Sequence, residues 1–237
     1  MSDVNMIAEI GMITGMEQLK VISNNIANAT NNGFKRDIYV NKKFDSTLAS
    51  LKAPQNIKNS IVTDMRQGSM EFTGGSLDIA IQGNAFLQLS TNQGIVYTRN
   101  GSLTLDSAGR LVSKHGSVVN GMDGEIRLNS PTPRIDDSGK VWEEDKYVGQ
   151  LKLVTFSNLY SLNKAGEGLY TSSMPGQNID PENTNMVRQG YLETSNVNVM
   201  HEMVGLTSLV RQIEAMQKAM SAYDGMLNTA IRDIAVF

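Results

Sequence analysis

The chain has 237 residues, and its 21 lysines and arginines against 24 aspartates and glutamates give a formal net charge of −3. This charge argues against nucleic-acid binding, because a nucleic-acid-binding face needs clustered basic residues to neutralise phosphates. The sequence has no cysteine and two histidines, which excludes disulfides, thiol catalysis and a sulfur- or histidine-rich metal site. It contains no run of about 18 apolar residues and no cleavable-signal pattern at its amino terminus, so we expect neither a membrane-spanning helix nor a secretory signal.

Composition divides the chain into two ends and a middle. All five prolines and 12 of the 14 aromatic residues lie between residues 32 and 198. Nine of the 14 methionines lie instead in the ends, 1–31 and 199–237. The ends and the middle are therefore expected to have different structures.

The amino-terminal end is predicted to be a helix. Apolar residues from Val4 to Ile26 recur at spacings of three and four, which places them on one helical face. Gly11 and Gly15 have the small-xxx-small spacing that permits close helix approach. Because Glu9 and Glu17 flank them, we expect this packing in water rather than in a membrane.

A stop signal follows this helix at the polar run that begins with Asn31. Gly33 suits the left-handed residue after a helix, and Phe34 is expected to fold back onto the last turn. Lys35 and Arg36 then come near the negative end of the helix dipole, where cations are favourable.

The carboxyl-terminal end is predicted to be a longer helix. Residues from Met203 to Ile234 follow alternating spacings of three and four, a heptad seam interrupted at Gln217 and Asp224. Asn198 is the expected N-cap, with Glu202 in the favourable first turn. A seam of this length needs a partner. That partner is either the first helix of the same chain or the helices of neighbouring chains, which would order the ends on assembly.

The middle of the chain carries dense strand and turn signals. Leu77–Gly83 alternates apolar and polar residues, as a half-buried strand does. Asn100-Gly101 favours a type I′ turn, which predicts a hairpin between its flanking strands. Leu151–Phe156 is a further predicted strand, and no helical pattern of comparable length lies between residues 77 and 190.

These elements predict a multi-domain α+β protein. In it, a discontinuous, coiled-coil-like helical domain built from the two termini carries an inserted antiparallel β domain. The stretch from residue 35 to 66 has no clean period and is assigned to a linker. The predicted boundaries are 1–33 for the amino-terminal helix of the helical domain, 34–76 for a linker or extended connection, 77–190 for the β domain, and 191–237 for the connection and carboxyl-terminal helix.

No constellation of residues predicts catalysis or ligand binding. His115 lies beside a turn without the carboxylate and nucleophile of a catalytic set, and His201 falls in the first turn of the last helix. Glu143 and Asp145 are the best carboxylate pair for a hydrolase, but an acidic triplet of this kind is typical of a solvated loop. We expect no catalytic residue, no cofactor and no metal.

Four motifs, in order along the chain, resemble those of the flagellar basal-body rod and hook family. This chain departs from the family pattern at Asn31-Asn32, where a threonine usually precedes the glycine, and at Ala85, where glycine is common. The motifs are Val21–Asn28 followed by Gly33–Arg36, then Leu77–Phe86, then Tyr97–Gly101, and finally Gly190–Asn198.

The resemblance implies a structural protein of the flagellar drive shaft and not an enzyme. It implies that both terminal helices pack along the inner wall of a tube, with the β domain outside. The partners it implies are copies of the chain, other rod proteins and the flagellar type III export apparatus, with no nucleic acid and no integral membrane span. It places the protein in the basal-body rod, in the periplasmic and cell-wall zone, exported without a cleaved signal peptide.

Within the family, the chain most resembles the proximal rod branch. The interval from Arg36 to Leu77 is short, whereas distal rod members tend to carry an extra segment there. A distal rod or hook-type component is the alternative. A peptidoglycan-acting enzyme using Glu143 and Asp145 is a remote one.

The assembly surface is expected on the two end helices and on the turn after the first helix. Its apolar residues would contact neighbouring subunits, and its asparagines would hydrogen-bond across them. The expected residues are Met12, Met16, Leu19, Ile22, Asn24, Asn25, Ile26, Asn28, Gly33, Phe34, Met203, Leu206, Val210, Ile213, Met220, Leu227 and Ile231.

Overall fold

The computed structural model describes residues 2–40, 60–179 and 186–235, and the chain divides into two compact units. The first unit contains Met1–Ala27, Asp37–Ile61 and Asn198–Phe237, and the second contains Asn28–Arg36 and Val62–Val197. Helices at the two ends and antiparallel strands between them confirm the α+β class. Part of the predicted linker, residues 41–59, lies outside the described residues.

Two long helices occupy the ends of the chain, α1 (Ser2–Ala27) and α2 (Val199–Ala235). Helix α1 ends at Ala27, four residues before Asn31, and its end falls among asparagines, whose side chains compete for backbone hydrogen bonds. The predicted N-cap of α2 is confirmed. The side-chain oxygen of Asn198 accepts from the backbone N–H of His201 at 3.1 Å, and its carbonyl accepts from Glu202 at 3.0 Å.

Within the first unit, the glycines of α1 face α2. A Cβ at Gly15 would lie 3.1 Å from Ile213, and one at Gly11 would lie 3.1 Å from the sulfur of Met216. The expectation that these small residues permit close helix packing is therefore confirmed. The two helices pair within a single chain, which is one of the two arrangements that the sequence left open.

The contact face of α2 is rotated from the predicted heptad seam. Leu209, which lies outside that seam, is buried beside Ile213, whereas Met203 is exposed. Gly11 and Gly15 of α1 leave room for the larger side chains of α2 that face them, among them Leu209 and Ile213. The packing is therefore set by where the small residues lie as well as by apolar spacing.

The other elements of the described residues are short strands and a 3-10 turn, Leu159–Ser161. The strands are β1 (Asp37–Val40), β2 (Ser60–Thr63), β3 (Met70–Phe72), β4 (Ile79–Ile81), β5 (Phe86–Thr91), β6 (Gly94–Thr98), β7 (Leu103–Leu105), β8 (Leu111–Ser113), β9 (Val118–Gly121), β10 (Gly124–Glu125), β11 (Arg134–Ile135), β12 (Lys140–Glu143), β13 (Lys146–Gln150), β14 (Leu153–Thr155), β15 (Leu162–Gly166), β16 (Leu169–Ser172), β17 (Gln177–Asn178), β18 (Val187–Gln189) and β19 (Tyr191–Glu193).

The largest sheet of the second unit has ten strands. Its main path runs β15-β16-β6-β5-β9-β8-β7, with β10 on β9, β14 on β5 and β17 on β14. Strands β11, β12 and β13 form a separate antiparallel sheet. Two antiparallel strand pairs join the segment before α2 to the first strands of this unit. In them, β18 pairs with β4 and β19 pairs with β3.

Two apolar clusters fill this unit. The larger one includes Ile79 and Ile81, and Ala80 between them is also buried, so β4 is buried on both faces rather than half-buried as its alternating sequence suggested. The smaller one is aromatic, and its rings of Phe86 and Phe156 meet edge to face at 5.9 Å. Such edge contacts are the favoured geometry for paired rings.

The hairpin predicted at Asn100-Gly101 is wrong. Among the described pairings, β6 binds β5 and β16 while β7 binds β8, so the two flanking strands do not pair with each other. Gly101 instead meets β4, where its carbonyl accepts from the N–H of Ile79 at 3.0 Å. A Cβ on Gly101 would overlap the carbonyl oxygen of Ile79 at 1.8 Å. The glycine is needed for close approach of two backbones.

We predict that Leu89→Ala lowers the free energy of unfolding by about 2–5 kcal/mol, because it leaves a cavity in a closed core. Leu89 is fully buried in β5. Ile95 on the paired strand β6 is 54% exposed, so Ile95→Ala serves as the control and should change stability by about 0.5 kcal/mol or less. Urea unfolding followed by the fluorescence of Trp142, the single tryptophan, measures both. Equal losses in the two variants contradict this placement of the core.

Candidate functional site

The expected assembly residues fall into three groups by exposure. The predicted set therefore includes residues that are packed inside the single chain and residues that the single chain leaves exposed. Exposed are Met16, Asn24, Met203 and Ile231; half-buried are Met12, Leu19, Ile22, Ile26, Asn28, Leu206, Val210, Met220 and Leu227; buried are Asn25, Gly33, Phe34 and Ile213.

Both helices carry large apolar side chains that the single chain leaves exposed. Met16 on α1 is 58% exposed, and Met226 on α2 is 71% exposed. The sequence did not select Ile13, Met200 and Val204, which are also exposed. Helical spacing alone could not find these three, since it does not say which face the partner helix covers. Both helices therefore carry more exposed apolar side chains than the sequence predicted.

Asn25 is already paired within its own chain. Its side-chain nitrogen donates to the carbonyl of Asp37 at 2.8 Å, and the backbone N–H of Asp37 donates back to its oxygen at 2.9 Å. This two-way bond satisfies a buried amide and fixes the residues that lead into β1. The structure therefore gives Asn25 a role inside the subunit.

In the second unit, the segment that follows α1 lies beside the segment that precedes α2. Gly33 has a φ of +69°, which confirms the expected left-handed conformation, and its N–H donates to the carbonyl of Glu193 at 2.7 Å. The Asn196 side chain accepts from the N–H of Arg36 at 2.8 Å, and its backbone N–H donates to Phe34 at 3.3 Å. The two segments are thus joined by backbone as well as side-chain bonds.

A buried charge cluster lies beneath these bonds. The ammonium of Lys35 donates to Glu193 Oε1 at 2.5 Å and to the carbonyl of Arg66 at 2.7 Å. The guanidinium of Arg99 places its Nε 3.3 Å from Glu193 Oε2, an ion-pair contact without hydrogen-bond alignment. Burial lowers the pKa of Lys35, and the charge of Glu193 opposes that shift. Burial lowers the pKa of Arg99 in the same way.

Arg99 also ties the cluster to the turn between β4 and β5. Its two terminal nitrogens donate to the carbonyls of Gly83 and Ala85, each at 2.5 Å. A planar fork of donors suits two adjacent carbonyls, which a lysine cannot bind in this way. Arg99 thereby links the turn to Glu193.

The structure corrects the expected role of the two basic residues after α1. Because α1 ends at Ala27, Lys35 and Arg36 do not lie in its last turn, and the expected dipole interaction is wrong. Arg36 pairs instead with Asp64 at 3.2 Å. The ring of Phe34 is buried in the second unit, where the ammonium of Lys164 lies 4.4 Å from its centroid.

Each of the four sequence motifs contributes to the charge cluster. Lys35 comes from the first motif, Gly83 and Ala85 from the second, Arg99 from the third and Glu193 from the fourth. None of the three charged residues was predicted to lie in a buried cluster, because a lysine, an arginine or a glutamate is normally solvated. The available signal was that each of the three lies inside a motif.

Of the two hydrolase candidates, Glu143 holds the backbone in place. Glu143 Oε1 accepts from the backbone N–H groups of Asn129 at 2.8 Å and Ser130 at 2.5 Å. Asp145 is exposed in a turn with a φ of +63°. Across the described ranges, no three His, Asp or Glu residues are grouped to hold a metal. Neither described helix is long and apolar enough to cross a membrane.

Comparison with known proteins identifies two matching family models and several relatives. Residues 188–233 match the model described as flagellar basal body rod FlgEFG protein C-terminal, and residues 80–142 match the flagellar hook protein FlgE/F/G D1 domain. The flagellar basal-body rod protein FlgG of Buchnera aphidicola subsp. Schizaphis graminum is 34% identical, over 93% of this chain and 95% of that protein. FlgG of Bacillus subtilis is 29% identical over the same shares, and FlgF of Caulobacter vibrioides is 31% identical over 88% of each.

We predict that Asp64→Asn destabilises the protein by about 1 kcal/mol above pH 5, with the difference from the natural chain shrinking as the pH falls below about 4. Hydrogen bonds from Arg66 hold the pKa of Asp64 well below its usual range, with Arg36 adding to the effect. The carboxylate therefore stabilises the fold fully above its unfolded pKa of about 4 and loses that effect as pH falls through the lowered folded pKa. Urea unfolding at pH 2 to 7 measures the difference.

Asp123→Asn is the control, because Asp123 is exposed and no hydrogen bond of its side chain is seen among the described residues. Its difference from the natural chain should stay near zero at every pH. A pH-independent penalty for Asp64→Asn contradicts the assignment of an ionised, paired carboxylate.

Proposed function

The chain belongs to the family of flagellar basal-body rod proteins, and we propose that it enters the rod as a structural subunit whose two terminal helices contact neighbouring subunits. The carrying observation is the apolar surface that α1 and α2 leave exposed after pairing with each other, including Met16 and Met226. Repeated contacts that do not close on themselves build an open helical array. A shaft is such an array.

In this proposal, the two terminal helices form one discontinuous, coiled-coil-like domain. The grouping of α1 and α2 in one compact unit, with glycines 11 and 15 facing α2, supports it. The exposed methionines suit the role, because a flexible thioether side chain packs against neighbours of differing shape. The neighbours we propose are copies of this chain and other rod proteins.

Family membership also supports a location in the basal-body rod. The finer elements of the proposal are the periplasmic and cell-wall zone, export through the flagellar type III apparatus and the absence of a cleaved signal. We propose no catalytic role. Support comes from Glu143, whose carboxylate binds two backbone N–H groups and holds a turn.

We predict that Met16→Asp blocks entry into rods while leaving the free subunit folded. An exposed apolar side chain costs little to replace in the single chain, but a carboxylate buried in a subunit contact costs several kcal/mol. The measurement is the amount of subunit in basal bodies purified from cells that make the variant in place of the natural chain, together with motility.

Ile95→Asp is the matched control, because Ile95 is exposed to a similar extent, 54% against 58%, but lies on β6 of the other unit. Circular dichroism of both purified variants checks folding. Normal incorporation of Met16→Asp, or equal exclusion of the two variants, contradicts a contact surface on the helices.

We place the subunit in the proximal, FlgF-type part of the rod. The alignment with Buchnera FlgG spans 251 positions but covers 93% of this 237-residue chain, so that relative has many residues without a counterpart here. The alignment with Caulobacter FlgF spans 222 positions and covers 88% of the chain, with fewer such residues. The higher identity to FlgG favours the distal place as a second candidate.

We predict that a photo-reactive amino acid at Met226 cross-links this chain to rod proteins and not to the hook protein. Met226 is 71% exposed on α2, so the substitution leaves the subunit interior unchanged. Mass spectrometry of cross-linked basal bodies identifies the partners. A product with the hook protein supports the distal place and contradicts the proximal one, whereas the rod assignment stands in either case.

A further inference from the structure

We propose that Glu193 acts as a latch: its buried carboxylate holds the segment Gly33–Arg36, here called the strap, in the interior. The strap docks only when this carboxylate is present and charged. The inference concerns the second unit alone and does not depend on how subunits assemble. It assigns a conformational role to the buried charges: the amino-terminal strap is held by an anion from near the other end of the chain.

The first step is the requirement of Lys35 for an anion. Its side chain is 1% exposed, and its ammonium has two partners, Glu193 Oε1 at 2.5 Å and the carbonyl of Arg66 at 2.7 Å. One neutral carbonyl cannot compensate a full charge removed from water. Without Glu193, the strap has to leave the interior or bury an unpaired cation.

The second step is the effect of Arg99, a second buried cation in the same cluster. It lies on the other carboxylate oxygen of Glu193, at 3.3 Å, and its charge disfavours the charged form of Lys35. Because Arg99 is held by the carbonyls of Gly83 and Ala85, we expect it to stay in the cluster when Glu193 is replaced by glutamine. Removing the anion therefore leaves repulsion as well as a lost partner.

The third step is the backbone, which extends the same dependence along the strap. The N–H of Gly33 donates to the carbonyl of Glu193 at 2.7 Å, and Asn196 binds Phe34 and Arg36. Lys35 and Glu193 are 158 residues apart in sequence. Docking of the strap on Glu193 and Asn196 therefore needs contacts of high sequence separation, which carry a large loop-closure cost.

An arginine-specific protease provides a direct readout, because Arg36 is a cleavage site inside the strap and the adjacent Lys35 is not cut. The experiment compares cleavage after Arg36 in the folded full-length chain with that in Glu193→Gln, which keeps the side-chain size and removes the charge. We expect cleavage to be at least about tenfold faster in the variant, as local opening becomes more frequent. Cleavage after Arg127, whose side chain is 66% exposed, should not change.

Two further variants separate the charge effect from general damage. Glu71→Gln removes an exposed carboxylate from β3, the strand that pairs with β19, and should leave Arg36 as protected as in the natural chain. The double variant Lys35→Met with Glu193→Gln removes the cation that needs the anion, so it should restore most of the protection at Arg36. This comparison decides the matter even where Glu193→Gln alone opens the whole unit.

Two results overturn the proposal. One is cleavage after Arg36 that is no faster in Glu193→Gln than in the natural chain. The other is a double variant that is cleaved as fast as Glu193→Gln, because the strap then does not depend on the pairing of the Lys35 charge with Glu193. Restored protection in the double variant, with Glu71→Gln unchanged, supports the latch.

Discussion

One buried carboxylate, that of Glu193, holds together parts of the chain that are far apart in sequence. It contacts Lys35 and Arg99, both of which are buried with it. Removing ions from water costs several kcal/mol each, so such groups persist in an interior only when they meet with good geometry. The strand β19, the turn after β4 and the segment after α1 must therefore all be correctly placed at once. The cluster can therefore form only when all three segments have reached their native positions.

The helical unit rests on a different balance. Gly11 and Gly15 let α1 approach Ile213 and Met216 of α2 closely, so one side of each helix is satisfied within the chain. The exposed apolar residues that remain, Met16 among them, form the surface that we propose for contacts between subunits. The two units thus differ in kind. The second unit has an interior of buried ions and apolar clusters, whereas the helices of the first unit leave apolar side chains exposed.

Periodicity and end signals could be predicted from the sequence because they depend on neighbouring residues. The two helices, the N-cap at Asn198 and the left-handed Gly33 are of this type, and all three are confirmed. The type I′ hairpin at Asn100-Gly101 failed for the opposite reason. An Asn-Gly pair favours that turn locally, but here β4 approaches Gly101 so closely that only a glycine fits, and the strands pair elsewhere.

The sequence by itself therefore determined that helical ends flank a β-rich middle and that four motifs belong to a rod protein family. Tertiary structure alone decided that three charged residues from these motifs meet in the interior, and that the covered face of α2 includes Leu209 instead of Met203. The physical reason is the sequence separation over which each kind of interaction acts. Helix, cap and turn preferences act over a few residues, whereas burial of a charge or of a helix face depends on partners more than a hundred residues away.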